Sequence, residues 1–130
     1  MSEIKSFKDL EIWQLAKGLV VKIYKLLETF PKEEKYGIVA QSKDSVVSIP
    51  GNIAESFGRF HLKDKIQFLY NARGSLSETE SHLLISQAVG FINQTNKALF
   101  KEIVSGIQNL GVKLNNYINS LWKSTRKPRQ

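Results

Sequence analysis

Few side chains in this 130-residue chain can carry proton, nucleophile or metal chemistry, and their spacing excludes most of it. There are two histidines, His61 and His82, and no cysteine. Thiol nucleophiles, thiolate metal sites and disulfides are therefore absent. His82 stands four residues after Glu78 and two after Glu80. Neither spacing is the Glu-x-x-His repeat that a helical di-metal carboxylate centre requires. Glu78 and His82, one helical turn apart, suit a surface hydrogen bond instead. Glu78 and Glu80 would point to different faces of a helix and could not act as a carboxylate pair. Neither histidine stands in a recognisable nucleophile pattern, which leaves acyl transfer without its parts. The glycines form neither a phosphate-binding loop nor a dinucleotide fingerprint. The expectation is a protein that is not an enzyme and uses no cofactor and no metal.

Cations are the more informative chemistry. The net charge is +7, and residues 1–80 are nearly balanced, with 12 Lys/Arg against 11 Asp/Glu. Residues 81–130 hold 7 Lys/Arg against one acid, Glu102. Lys113, Lys123, Arg126, Lys127 and Arg129 form the candidate nucleic-acid-binding set, because cations without interspersed acids neutralise phosphates. The same residues would serve equally as a solubilising tail. Tyr117 and Trp122 lie among them, where base stacking and helix packing would both use an aromatic ring.

Positioning these side chains falls to four helical segments, about 7–29, 31–58, 62–89 and 94–123. The first carries Ile12, Leu15, Ala16, Leu19, Ile23, Leu26, Leu27 and Phe30 at helical spacing, with Ser6 and Asp9 resembling a capping box and Phe30-Pro31 marking the exit. Pro31, Glu33 and Glu34 suit the start of the second. The third keeps Leu62, Ile66, Leu69, Ala72, Leu76, Leu83 and Leu84 on or beside one stripe and ends by Gly90. In the fourth, Leu99, Ile103, Ile107, Leu110, Leu114, Tyr117 and Leu121 approach a heptad seam. Such segments with short connections predict an all-α, antiparallel up-down-up-down four-helix bundle, a single domain over residues 1–123 with a mobile basic tail at 124–130. No apolar run is long enough to cross a membrane, and the start lacks a signal-peptide pattern, so the expected location is cytoplasmic.

Pro50 falls inside the second segment. Its missing amide and its ring cost a helix interior roughly 3 kcal/mol, which predicts a kink retained because packing outweighs that cost. Gly74 in the third segment predicts the close approach of another backbone. Gln41, Asn52, Glu55, Arg59, Arg73 and Glu80 are expected near the core or an interface, where they would fix register, the kink or subunit contacts, or contact a ligand.

Taken together, Trp13, Phe30-Pro31, Glu34-Lys35-Tyr36-Gly37, Val47 to Glu55 with its Ser-Ile-Pro-Gly-Asn centre, Gly58-Arg59, and Ala72 to Leu76 with Glu78 and Glu80 form a specific pattern. It resembles the four-helix-bundle family named for proteins encoded in intervening sequences of bacterial 23S ribosomal RNA genes, over nearly the whole chain. The resemblance implies a homopentamer with a central channel and no established enzyme reaction. It implies RNA binding largely from where some of the genes lie. A more distant likeness, to the accessory protein of diversity-generating retroelements, implies a basic pentamer that binds nucleic acid and a reverse transcriptase. The chain departs from the family pattern at Lys43-Asp44-Ser45, where two arginines and an alanine are usual, and at Ser56, His61 and Thr79, where glycine, serine and leucine are usual. The implied partners are copies of the chain itself and RNA or another nucleic acid. The alternative is a structural or adaptor protein whose partner is another protein.

Overall fold

The computed structural model describes residues 3–125, in which four α-helices form and no strand does. They are α1 (Glu11–Leu27), α2 (Ile38–Gly58), α3 (Leu62–Ala88) and α4 (Lys97–Ser124). Each packs against its two neighbours in the cyclic order α1, α2, α3, α4. Side-chain pairs fix the directions. Glu11 at the start of α1 meets Lys113 late in α4, whereas Lys22 meets Glu102 near the α4 start. Ser45 of α2 meets Thr79 of α3, and Ser56 meets Lys65. Helices adjacent in the ring are therefore antiparallel, as short connections require. The core between them is aliphatic: Ile23, Leu26, Ile49, Ile53, Ile66, Leu69, Leu83, Ile103, Leu110 and Leu114 are essentially fully buried. Each such side chain contributes about 1.5–3 kcal/mol of burial.

The helix ends differ from the sequence-based bounds for local reasons. Ser6 and Asp9 do form a capping box, but around a 3-10 turn, Phe7–Asp9. Lys8 N–H donates to Ser6 Oγ (3.1 Å), and Ser6 N–H donates to Asp9 Oδ2 (3.1 Å). Leu10 is then extended (φ −75°, ψ 130°), so α1 begins only at Glu11. Beyond Pro31, a second 3-10 turn at Lys32–Glu34 precedes Gly37, whose ψ of −119° reorients the chain before α2 starts at Ile38. The end of α3 follows the glycine cap: Gly90 has φ +92°, Phe91 N–H donates to Ser86 C=O (2.9 Å), and Gly90 N–H donates to Gln87 C=O (3.1 Å). Buried Asn96 ties this turn to the end of α1, donating to Thr29 Oγ1 (2.9 Å) and Phe91 C=O (3.0 Å). At the opposite end, Lys65 Nζ donates to the Ser56 and Phe57 carbonyls and closes the C-terminus of α2.

Helix α2 continues through Pro50. Nearby donors serve other carbonyls: Asn52 Nδ2 bonds Ser48 C=O (2.8 Å) and Ser48 Oγ bonds Asp44 C=O (2.8 Å). Within the chain Gly74 meets no neighbour, because a Cβ placed there would find nothing within 4 Å. Close approach within the chain occurs instead at Gly106, where a Cβ would lie 2.9 Å from Leu19 Cδ2, as α4 crosses α1. Gly106 lies on the α1-facing edge of α4, and periodicity alone does not distinguish that edge from solvent.

Candidate functional site

Histidine and nucleophile chemistry, absent from the linear sequence, is partly assembled by the fold. His82 Nδ1 lies 3.3 Å from Ser45 Oγ, and His82 Nε2 lies 3.9 Å from Glu78 Oε1. Ser45 Oγ is also 2.9 Å from Thr79 Oγ1 and 3.2 Å from Ser42 C=O. Ser45 is 5 % exposed and Thr79 0 %. A serine so enclosed cannot reach a substrate carbonyl, so the constellation is a polar seam between α2 and α3 and lacks the geometry of a triad. Ser42 Oγ, also buried, has no hydrogen-bond partner among the described residues. Among the described residues, no cluster of three or more metal-ligating side chains forms.

The candidate cations separate into two groups. Lys113 Nζ is engaged by Glu11 Oε1 at 3.3 Å and faces α1. Lys123 is exposed near the end of α4, with no ion pair among the described residues. Arg126, Lys127 and Arg129 lie outside the described residues. Two cations the sequence reading did not single out, Lys97 and Lys101, line a cleft of about 460 Å³ with Gln87, Ile92 and Phe100 where α3 ends and α4 begins. Neither has an ion pair among the described residues. The one acid of α4, Glu102, is occupied by Lys22 of α1 at 2.8 Å. The positive charge of α4 is therefore uncompensated on its own helix. Its solvent face adds neutral amides at Gln108, Asn109, Asn115, Asn116 and Asn119.

Arg73 joins this face from α3. Its guanidinium carbon sits 4.8 Å from the Tyr70 ring centroid, and Nη1 donates to Asn115 Oδ1 at 3.1 Å. Trp122 Nε1 donates to the Tyr70 hydroxyl at 3.1 Å. A cleft of about 310 Å³ between α3 and α4 is lined by Arg73, Glu80, Gln108 and Asn115 over a floor of Leu76 and Ile107. Burial raises the pKa of Tyr117 above its ordinary value, consistent with a ring used in packing.

The other polar candidates are spread over the surface. Gln41, Glu55 and Arg59 are exposed, and Asn52 and Glu80 are half-buried. Arg59 pairs with Glu55 along α2 (3.0 Å) and lies 4.6 Å from the Phe68 ring centroid. The polar groups that are buried are small ones, Ser42, Ser45, Ser56, Thr79, Ser86 and Asn96. Two of the departures from the family pattern, Ser45 and Thr79, touch each other across the α2/α3 seam, and a third, Ser56, donates to Lys65 C=O at 2.8 Å. Their positions at the core-facing phase of α2 and α3 were the available signal.

Residues 8–116 match the family described as 23S rRNA-intervening sequence protein. Among solved structures, the chain is similar to a protein with unknown function from the S23 ribosomal protein family of Bacteroides thetaiotaomicron VPI-5482. The likeness has a TM-score of 0.73 at 22 % identity and covers 82 % of this chain and 97 % of that one. No curated relative matches.

Proposed function

This chain belongs to the 23S rRNA-intervening sequence protein family, and from that premise we propose that it is a non-enzymatic, oligomeric helical bundle that binds RNA or another polyanion. The observation that carries this reading is the uncompensated charge of α4, whose one acid is held by α1 while its amides Gln108 and Asn115 line a cleft with Arg73. Phosphate neutralisation is the mechanism, with Lys97, Lys101, Lys123 and the terminal cations as contacts and Lys113 restrained by Glu11. The assembly is a homopentamer by family resemblance, acting in the cytoplasm. Exposed Leu84, Ile85 and Val89 supply apolar area for contacts between copies. Pro50 bends α2 to shape its packing in that assembly.

Affinity for a structured RNA, measured by anisotropy, should fall steeply between low and moderate salt, and removal of residues 123–130 should weaken it. Unchanged affinity after truncation removes the tail from the mechanism, and salt-independent binding removes the mechanism itself. Light scattering that finds a stable monomer at micromolar concentration overturns the pentamer. The same exposed apolar residues favour a second reading, an adaptor for another protein. A specific protein that co-purifies after nuclease treatment, with no RNA affinity in the purified chain, would select it.

A further inference from the structure

We infer that the α3/α4 groove around Tyr70, Arg73, Asn115 and Trp122 is a binding site for single-stranded nucleic acid, taking a phosphate on Arg73 and an unpaired base on Trp122. The inference rests on the polyanion-binding reading and adds to it a strand form and a place. Arg73 is exposed, yet its position is defined on two sides, by the Tyr70 ring 4.8 Å away and by Asn115 Oδ1 at 3.1 Å. Only one guanidinium nitrogen is occupied by that amide, so the rest of the donor fork faces solvent. A pre-placed guanidinium matches the paired oxygens of a phosphate better than a mobile lysine does.

The stacking platform is placed by the same tyrosine. Trp122 is 39 % exposed, and the bond from its Nε1 to the Tyr70 hydroxyl (3.1 Å) restrains the indole while leaving ring surface open. A cation and an aromatic platform oriented through one shared residue are the two parts that single-strand binding combines. A duplex hides the faces of its bases, so an indole at this site favours an unpaired base. The adjoining cleft, about 310 Å³, is at the small end of the range for ligand clefts, roughly 300–1,000 Å³. Half-buried Glu80 lines it two helical turns beyond Arg73 and repels phosphate there. The strand backbone therefore runs from Arg73 toward Lys123, away from Glu80.

The test uses the full chain carrying Trp13→Phe, so that Trp122 alone reports by fluorescence. The probes are a single-stranded RNA of about 12 nucleotides, the same sequence as a duplex, and inorganic polyphosphate. The single strand should quench Trp122 and bind on the order of tenfold more tightly than the duplex. Arg73→Ala should lower its affinity about tenfold, and Arg73→Lys should recover part of the loss. Trp122→Leu, read by anisotropy of labelled RNA, should also weaken the single strand and leave polyphosphate unchanged. If all three probes bind in a salt-sensitive way with no quenching and no effect of either variant, this site is wrong and the broader function stands. If none binds, both fail. If Arg73→Ala lowers the assembly mass without changing RNA affinity, Arg73 is a subunit contact and the inference is overturned.

Discussion

Thr79 Oγ1 lies 2.8 Å from Ser75 C=O and 2.9 Å from Ser45 Oγ. A hydroxyl has a single proton, so Thr79 donates to the carbonyl while Ser45 supplies the cross-helix bond or turns toward Ser42 or His82. Such a buried pair adds little net stability but is costly to half-remove. Thr79→Leu should therefore destabilise by about 1–3 kcal/mol, through the bulk it adds and the partner it takes from Ser45. Adding Ser45→Ala should recover most of that loss, and urea denaturation of the double-mutant cycle at fixed protein concentration measures the coupling. Tyr117 supplies a pH test. Its pKa in the folded state is raised above the unfolded value near 10 by burial. The stability it contributes is complete below that pH and is lost as pH rises toward the folded pKa, since the unfolded chain ionises first. Tyr117→Phe should flatten the fall in melting temperature above pH 10 relative to the unmodified chain.

Two glycines test helix packing in opposite directions. At Gly106 an added methyl would sit 2.9 Å from Leu19 Cδ2, in a core where Leu19 is 4 % exposed. Gly106→Ala should cost about 1–3 kcal/mol despite its better helix propensity. Gly74 faces open space, so Gly74→Ala should stabilise by about 0.5–1 kcal/mol, read as an increase in urea midpoint. A loss at Gly74 would indicate that another copy approaches there. In α2, Pro50→Ala supplies an N–H that donates to Val46 C=O, the bond proline cannot make. If the proline shapes the assembly, this variant keeps its helical circular dichroism and changes its mass in light scattering. Unchanged mass with higher stability would leave the proline without that role.

For the whole molecule, assembly and stability are linked by mass action. An oligomer that buries Leu84, Ile85 and Val89 should show a melting temperature that rises with protein concentration. Replacing Leu84 and Ile85 with glutamate should abolish that dependence and leave the helical signal intact, because both side chains are about half exposed in the single chain. A concentration-independent melting curve for the unmodified protein would count against self-association.

Helix number, order and the aliphatic core follow from the sequence alone, because burial of one face leaves a 3.6-residue period that Ile23, Leu69 or Leu110 displays directly. The glycine cap at Gly90 and the capping box at Ser6 were equally legible, since both depend on a few adjacent residues. Tertiary structure alone decided what depends on lateral position around the ring. It set Lys113 against Glu11, Arg73 against Asn115 beside Tyr70 and Trp122, Ser45 against Thr79 and His82, and Leu19 against Gly106. These partners stand between 34 and 102 residues apart, or face each other from helices whose rotation is fixed only when all four pack. Local spacing records which side of a helix is apolar. Which cation meets a carboxylate, and which stays free for a ligand, is settled by the helix opposite.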